Sequence, residues 1–461
     1  MKKQDGNIIL LSDSYKVSHW LQYPPGTTNV YSFFESRGGR FPAVTFFGLQ
    51  YIIRRYLEGQ VVTEEKIEEA ERMFRAHFGK PELFNKEGWQ YILKQHGGRL
   101  PVCVRAIPEG TTVPTSNVLM TIENTDPAVP WLTNYLETLL SQAWYPTTVC
   151  TQSREMRKVI MKYLERTGDT SLIDFKLHDF GFRGSTSVES SGIGGLAHLV
   201  NFKGTDTMSA LMVALDYYSE PMAGYSIPAA EHSTITAWGK EHETDAYRNM
   251  LEKFPEGLVA VVSDSYNIYE SCREIWGKKL WANVMDREGT VVVRPDSGDP
   301  PTVVCEVLDI LGEAFGYTRN EKGHKILHPK VRVIQGDGID YIVLEEVLKA
   351  MERVSWSADN IAFGSGGGLL QKVNRDTQKF AFKCSSIRVN GLSRDVMKDP
   401  VTDHGKRSKA GRLVLVKENG EFRTVRESET RNENLLVPYF LDGRSLYPQS
   451  LTEIRERAAK L

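Results

Sequence analysis

Four apolar runs in the chain share one pattern: each ends in glycine or acidic residues, and a predicted helix follows. The runs are LVAVVSDSYNIY (258–269), TVVVRPDSGDP (290–300), VRVIQGDGID (331–340) and NIAFGSGGGLL (360–370). The distances between them are those of successive strand–helix units in a parallel sheet. In a (β/α) barrel the carboxyl ends of all strands meet on one face, where phosphate commonly binds. A doubly wound open sheet has similar spacing, so periodicity alone leaves both architectures open.

The two ends of the chain follow a different pattern. Residues 380–448 alternate between apolar and polar positions and turn through NG and DG, which are hairpin signals. Strand-like segments also occur in the first 130 residues. The sequence therefore predicts an α/β fold with a central barrel over 146–384 and a second α+β layer. That layer combines an N-terminal part, 1–145, with a C-terminal antiparallel segment, 385–461.

Local signals predict three helices. Thr63 is a good N-cap for the first, and Gly79 is a good stop for it. The second is an apolar helix over 131–144. The third is a short C-terminal helix that opens at Ser450, with Glu453 completing a capping box.

Charge and cysteine content exclude several classes of protein. The chain has 461 residues, with 57 Lys and Arg against 59 Asp and Glu, so its formal net charge is −2. Without a global positive field, nucleic-acid or membrane-surface binding would require a local patch, and neither is expected. Five cysteines without a CxxC pair fit a reducing compartment. No signal peptide or bilayer-length apolar stretch is visible, so we expect a cytoplasmic protein.

Common catalytic motifs are absent from the sequence. The ten histidines form no HExxH and no His/Cys cluster, which disfavours a zinc site. Neither the GxGxxG of dinucleotide-binding folds nor GxxxxGK[ST] of P-loops occurs, and no GxSxG elbow is present.

Three polar strand ends are candidates for binding phosphate. Glycines in GSGGG (364–368) allow backbone N–H groups to approach an anion, although a tight βα turn is the simpler alternative. In RPDSG (294–298), Arg294 could bind phosphate and Asp296 could accept ribose hydroxyls. The alternative is that the two form an ion pair at the surface. GDG (336–338) repeats this combination, but Asp337 is equally suited to capping the next helix.

Two further segments are candidates for binding a heterocycle and an anion. KLHDFGFRG (176–184) supplies Phe180 or Phe182 for stacking on a planar ring, although most aromatic residues at such spacing belong to a core. GYSIPAAEHST (224–234) places His232 before a predicted helix, where it would contact phosphate or be a satisfied polar group.

Taken together, these motifs closely resemble the nicotinamide phosphoribosyltransferase family, whose fold is the irregular (β/α) barrel of type II phosphoribosyltransferases. The resemblance extends in order from about residue 8 to residue 415. The matching strings are SDSYK, KLHDFGFRG, FKGTDT, AGYSIPAAEHSTITAWG, VVSDSY, RPDSG, IQGDG, AFGSGGGLLQK and KDPV…KRSK.

The resemblance implies the transfer of a 5-phosphoribosyl group from 5-phosphoribosyl-1-diphosphate to nicotinamide, in NAD salvage. By resemblance, the residues that bind nicotinamide are Phe180, Asp206, Ser226 and, from a partner subunit, Tyr15. Those implied as catalytic are His232, Arg294 and Asp296. Those implied for the diphosphate are Arg183, His232 and Arg294.

The remaining residues implied by the resemblance bind the nucleotide product and its phosphate. They are Asp206, Arg294, Pro295, Asp296, Gly336, Asp337, Gly366, Gly367 and Arg375. Phosphate contacts delivered across a dimer interface are implied for Arg37, Lys383, Lys398 and Lys406. The family uses Mg²⁺, held mainly by the diphosphate, with Asp264 and Asp296 as possible ligands through water. It also couples ATP hydrolysis to synthesis through phosphorylation at the position of His232, without strictly needing it, and forms homodimers with shared sites.

Two rival functions remain open. A nicotinate phosphoribosyltransferase has the same fold, but Asp206 would repel the carboxylate of nicotinate. The second rival is a non-catalytic scaffold or signalling role on the same fold. The presence of Arg183, Asp206, His232, Arg294 and Asp296 together argues against it.

Overall fold

A computed structural model of the chain describes residues 6–398 and 408–460. The chain divides into two compact units. The first unit contains Met1–Thr151, Met212–Pro221 and Val373–Leu461, and the second contains Gln152–Leu211 and Met222–Lys372.

The first unit is built on an antiparallel sheet of seven strands. Their order across the sheet is Leu392–Asp395, Phe380–Val389, Thr27–Ser36, Val118–Asn124, Val102–Ala106, Val437–Leu441 and Arg444–Ser445. Two strand pairs accompany it, Ala43–Thr45 with Thr112–Pro114 and Leu413–Glu418 with Glu421–Arg426. The sheet therefore joins strands from both ends of the chain, as the alternation predicted.

Two of the three helices predicted for the first unit begin where the sequence indicates, after Thr63 and after Ser450. The helices of this unit are Leu49–Ile52, Glu64–Phe78, Lys86–His96, Leu132–Tyr135, Glu137–Ser141 and Leu451–Ala458. Thr63 accepts a hydrogen bond from the Lys66 N–H, and Gly79 ends that helix with φ +63°. The predicted helix over 131–144 is instead two short helices, followed by the long helix Trp144–Thr167.

The second unit is built on a parallel sheet of six strands. Their order is Gly204–Thr205, Leu177–Asp179, Ile361–Ser365, Val331–Gln335, Glu288–Arg294 and Glu256–Val262. A hairpin, Tyr317–Arg319 with Lys325–Leu327, lies outside this sheet. The helices of the unit are Val188–Leu199, His232–Thr236, Glu243–Lys253, Ile268–Glu270, Trp281–Asp286, Pro300–Phe315, Tyr341–Arg353 and Gly367–Leu370. In two helices the chain passes from one unit to the other: Trp144–Thr167 and Met208–Tyr218.

One extended segment closes the parallel sheet into a barrel. Tyr225 bridges Gly204 on one edge strand, and Ala229 bridges Ala260 on the other. Backbone hydrogen bonds support both bridges, at 3.0 Å from Thr205 N to the oxygen of Tyr225 and at 2.9 Å from Ala230 N to the oxygen of Ala260. An open doubly wound sheet is therefore excluded, and the barrel is the correct alternative.

The barrel interior is filled by small and branched side chains. Ala260, Val292 and Ile334 form its buried centre, and Phe180 and Ile227 pack against them. Neighbouring residues of the strands are buried on the outer face as well, since helices cover a parallel sheet on that side. The barrel is thus a packed core, and its chemistry is confined to the ends of its strands.

A buried lysine ties two of these strands together at their amino ends. Lys176 Nζ donates to the backbone oxygens of Ala358, Asp359 and Ile361 at 3.0, 3.0 and 2.9 Å. Burial lowers the pKa of Lys176 to about 8. The contact joins the start of Leu177–Asp179 to the segment that leads into Ile361–Ser365, and so fixes the strand that precedes Phe180.

None of the helices in the described part of the chain combines the length and hydropathy that crossing a bilayer requires.

Candidate functional site

The carboxyl ends of the barrel strands bring most of the sequence-predicted residues to one rim. The strand direction is the same throughout the sheet, so each residue that follows a strand lies at this end. Most of the residues that end or follow these strands, or lie in or after the closing segment, are the predicted ones: Phe180, Arg183, Asp206, Ser226, His232, Asp264, Arg294, Pro295, Asp296, Gly336, Asp337, Gly366 and Gly367.

Phe180 lies across glycines of two neighbouring strand ends. Its N–H donates to the backbone oxygen of Ser365 at 3.0 Å. A Cβ on Gly364 would be 2.0 Å from Phe180 Cε2, and one on Gly336 would be 3.2 Å from the same atom. The two glycines thus make room for the ring, which is half-buried and has one side against the barrel core. A planar heterocycle can stack on such a ring.

Asp206 is an ionised acceptor next to this ring. His178 Nε2 lies 3.1 Å from its Oδ1, and the Ser226 hydroxyl donates to the same oxygen. Burial opposes ionisation, but these two hydrogen bonds and the charge of Arg294 hold the pKa of Asp206 below its usual value. The site therefore offers a carboxylate to a hydrogen-bond donor.

Asp264 orders another part of the rim, at the end of the strand Glu256–Val262. Its carboxylate is 4% exposed and is paired with His232 Nε2 at 2.9 Å. It also accepts the Asp296 backbone N–H at 3.2 Å and the Ser297 hydroxyl at 2.6 Å. One carboxylate thus orients the imidazole of His232 and the loop that carries Asp296.

Arg294 and Asp296 form a second charged pair, with Nη2 and Oδ2 separated by 3.7 Å. Burial raises the pKa of Asp296, and the carboxylates of Asp264 and Asp337 add to this against the opposing charges of Arg294 and His232. Arg294 Nε is buried and has no hydrogen-bond partner among the described residues. A cation and a partly desolvated carboxylate are therefore available to a ligand.

Two glycine loops meet at the rim. The Ser365 hydroxyl donates to the Ile339 backbone oxygen at 2.6 Å, and a Cβ on Gly368 would lie 2.5 Å from that oxygen. A Cβ on Gly367, by contrast, would have no heavy atom of the described residues within 4 Å. The helix cap proposed for Asp337 is wrong, because Asp340 caps Tyr341–Arg353 by accepting the N–H groups of residues 342 and 343. The exposed side chain of Asp337 is thus available to a ligand.

Four predicted phosphate-binding cations gather within the first unit. Burial lowers the pKa of Lys383, and the charges of Arg37, Lys398 and Arg375 lower it further. Arg37 Nε also donates to Glu35 at 2.9 Å. The carboxylates of Glu137 and Glu35 lie beside these four cations, so the cluster keeps a net positive charge that is suited to an anion.

Among the described residues, the rim does not include two further predicted residues. Tyr15 belongs to the first unit and is 59% exposed. Lys406 lies outside the described residues.

A divalent cation would find few direct protein ligands in this site. The described residues contain no group of three or more His, Cys, Asp or Glu suited to a metal ion. Both oxygens of Asp264 already accept hydrogen bonds. The arrangement fits a cation held by a ligand's own oxygens, with Asp264 and Asp296 contacting it through water.

Sequence reasoning gave Asp264 and His178 too small a role. Asp264 follows its strand as Asp296 and Asp337 follow theirs, so the shared pattern was a signal that it belongs to the rim. The pairing of His178 with Asp206 joins residues 28 positions apart, and no local pattern predicts it.

Two family models match the chain. One describes the nicotinate phosphoribosyltransferase (NAPRTase) family and matches residues 175–436. The other describes the nicotinamide phosphoribosyltransferase N-terminal domain and matches residues 7–104.

Curated relatives match over nearly the whole chain. A nicotinamide phosphoribosyltransferase from Xanthomonas campestris pv. campestris is 51% identical, over 98% of this chain and 98% of the relative. One from Acinetobacter baylyi is 31% identical, over 97% of this chain and 96% of the relative. The family predicted from the motifs is therefore confirmed.

Solved structures share the fold. The nicotinate-nucleotide pyrophosphorylase of Pyrococcus furiosus superposes with a TM-score of 0.59 at 15% identity, covering 98% of this chain and 95% of that one. Human nicotinic acid phosphoribosyltransferase gives 0.56 at 17% identity, covering 97% and 93%. The predicted barrel fold of type II phosphoribosyltransferases is thereby confirmed.

The packing of Phe180 predicts a sharp difference between two glycines. Gly364→Ala places a methyl group inside the Phe180 ring and must displace it, so we expect a loss of about 1–3 kcal/mol in the free energy of unfolding. Gly367→Ala is the matched control, because its methyl group meets open space. Urea denaturation of both variants measures the difference. Equal stability of the two would contradict the assigned position of the ring.

Proposed function

The chain belongs to the nicotinamide phosphoribosyltransferase family, and on that premise we propose that it transfers the 5-phosphoribosyl group of 5-phosphoribosyl-1-diphosphate to nicotinamide. The products are nicotinamide mononucleotide and diphosphate, and the role is NAD salvage. The observation that carries the proposal is the pairing of an aromatic ring, Phe180, with an ionised acceptor, Asp206, on a rim that also holds cations and glycine loops.

The reaction exchanges one bond at the anomeric carbon of ribose. The pyridine nitrogen forms a bond to that carbon, and the bond from the carbon to the diphosphate oxygen breaks with both electrons leaving on diphosphate. Positive charge develops on the ribose ring as this happens. No proton needs to move, so positioning and stabilisation of the leaving group are the protein's main contributions.

Each part of the substrates has residues suited to it. Phe180 stacks on the pyridine ring, and Asp206 accepts the carboxamide N–H. Arg183, His232 and Arg294 bind the diphosphate, and Asp296 holds the ribose hydroxyls. The glycine loops at 336–337 and 366–367 bind the 5′-phosphate, and Arg37, Lys383 and Lys398 of the partner subunit would supply further phosphate contacts.

Nicotinate is the alternative base, because one of the matching family models is named for it. The charge of Asp206 favours nicotinamide. Its pKa lies below the usual value, so at neutral pH it is a carboxylate that accepts an amide N–H and repels a second carboxylate.

Magnesium and ATP are also part of the proposal. Mg²⁺ bound to the diphosphate would neutralise its charge, with Asp264 and Asp296 holding the hydration shell. ATP would phosphorylate His232, releasing ADP, and later hydrolysis of the phosphohistidine would release phosphate. The pairing of His232 Nε2 with Asp264 supports this, because it orients the imidazole and leaves Nδ1 for the phosphoryl group.

We further propose that the protein is a homodimer with shared sites. The helix Met208–Tyr218 exposes Met208, Met212 and Leu215 at 65, 48 and 56%. Residues at this spacing share one face of a helix, and such an apolar stripe is typical of an interface. Tyr15 of the partner subunit would then cover the second face of the pyridine ring.

Base preference tests the proposed activity. The protein should use nicotinamide with a kcat/KM at least about tenfold above that for nicotinate, and Asp206→Asn should reduce this ratio by removing the charge. Product formation from each base with 5-phosphoribosyl-1-diphosphate measures it. Asp245→Asn is the matched control, because Asp245 also pairs with a histidine, His242, at 3.0 Å on an exposed helix. Equal use of both bases by the wild type would contradict the proposal.

ATP coupling is tested at His232. His232→Ala should lose the stimulation by ATP and part of the basal rate, because the unmodified imidazole also contacts diphosphate. Turnover with and without ATP, with a search for acid-labile phosphate on the protein, measures both effects. His242→Ala removes another carboxylate-paired histidine and should keep the stimulation. If His232→Ala retains full ATP stimulation, the coupling resides elsewhere.

Subunit mixing tests the shared site. Tyr15→Ala and Phe180→Ala should each raise KM for nicotinamide, since an aromatic pair contributes about 0.5–1.5 kcal/mol. Exchange of subunits between the two variants should restore about a quarter of wild-type activity at low nicotinamide. Half of the random dimers are mixed, and each of these has one intact site. The reference is a mixture of Tyr15→Ala with Tyr317→Ala, an exposed tyrosine elsewhere. In that mixture about half of all sites remain intact. An active monomer, or no gain on mixing, would refute sharing.

A further inference from the structure

The two oxygens of the Asp206 carboxylate have different surroundings. Oδ1 is paired with His178 Nε2 at 3.1 Å and accepts the hydroxyl of Ser226. None of the described residues donates a hydrogen bond to Oδ2. A carboxylate can accept at both oxygens, so Oδ2 is left for a ligand.

The two donors come from elements on either side of Asp206. His178 lies in the strand Leu177–Asp179, which pairs with the strand Gly204–Thr205 that precedes Asp206. The imidazole fits only because residue 204 is glycine, since a Cβ there would lie 2.6 Å from His178 Nδ1. Ser226 lies in the segment that closes the barrel. The backbone on both sides therefore fixes the direction from which each donor approaches.

We propose that His178 and Ser226 are positioning residues for base selection, and that they act by occupying Oδ1 of Asp206 so that Oδ2 faces the base. This inference rests on the proposed function. A carboxamide has an N–H to donate to Oδ2, and a nicotinate carboxylate has none. Ser226, which the family resemblance implies as a nicotinamide-binding residue, contributes to base selection through Asp206.

Loss of these donors changes the pH dependence of base binding. The charged and titratable groups that face Asp206 are His178, the buried Asp179 and Arg294. The hydrogen bonds from His178 and Ser226 lower the pKa of Asp206, so their removal raises it. Protonated Asp206 would bind the carboxamide less well. The acid side of the kcat/KM profile for nicotinamide should therefore move to higher pH in variants that lack these donors.

The experiment compares His178→Phe, His178→Gln and Ser226→Ala with the wild type. His178→Phe keeps a ring but loses the donor, whereas His178→Gln retains a donor near the position of Nε2. The control is His96→Phe, because His96 Nε2 forms the same kind of pair with Asp126, at 2.7 Å, within the first unit. Steady-state kinetics with nicotinamide and nicotinate from about pH 3 to pH 8, on the full chain, provide the readouts, because the acid side set by Asp206 lies below the usual pKa of an aspartate.

In His178→Phe we expect KM for nicotinamide to rise about tenfold, kcat to change less than about twofold, and preference for nicotinamide over nicotinate to fall about tenfold. The acid side of its profile should move up by about one pH unit. Ser226→Ala should show the same changes at roughly a third of the size, since it removes one neutral donor. His178→Gln should recover most of the loss, and His96→Phe should change none of these quantities.

Unchanged selectivity and an unchanged acid side in both His178→Phe and Ser226→Ala would overturn the proposal. A His178→Gln variant as poor as His178→Phe would also overturn it, since the donor would then not be the cause. If His178→Phe does not fold, Ser226→Ala at an exposed position still decides the question through its base preference and the acid side of its profile. A wild type that does not use nicotinamide would refute the proposed function. This outcome is distinct from a failure of the positioning proposal, in which the wild type uses nicotinamide but the variants keep its selectivity.

Discussion

Closure of the barrel by one extended segment is the constraint on which the site depends. Tyr225 and Ala229 bridge opposite edges of the sheet, and the backbone hydrogen bonds of this segment replace the pairing that an edge strand would lack. The same segment carries Ser226 and leads directly into His232. Without closure, Asp206 would lose one of its two donors, and His232 would lose its fixed distance from Asp264.

Two carboxylates of the rim have pKa values shifted in opposite directions by their electrostatic surroundings. Asp206 has two donors and a nearby cation, so its pKa falls despite burial. Asp296 is half-buried beside other carboxylates, so its pKa rises despite the neighbouring Arg294. Asp206 is therefore suited to accepting a hydrogen bond from a neutral amide. Asp296 becomes a better acceptor when ribose hydroxyls or a cation approach, because both stabilise its charged form.

The sequence predicts the strand ends well and the contacts between them poorly. Apolar runs followed by glycine or acid are local signals, so Asp296, Asp337 and the glycine loop near residue 366 were assigned to one rim correctly. Choosing Asp340 over Asp337 as the helix cap depends on backbone direction within a turn, which composition does not reveal. The central position of Asp264 depends on partners about 32 residues away on each side. Such contacts arise only when the barrel closes.

The most direct test of the account is a crystal structure with nicotinamide mononucleotide bound. The account predicts the pyridine ring parallel to Phe180, the carboxamide nitrogen within hydrogen-bond distance of Asp206 Oδ2, and the 5′-phosphate at the loop containing Gly367. A ring bound away from Phe180, or a carboxamide that contacts only Arg294 while Asp206 Oδ1 loses His178 and Ser226, would contradict it.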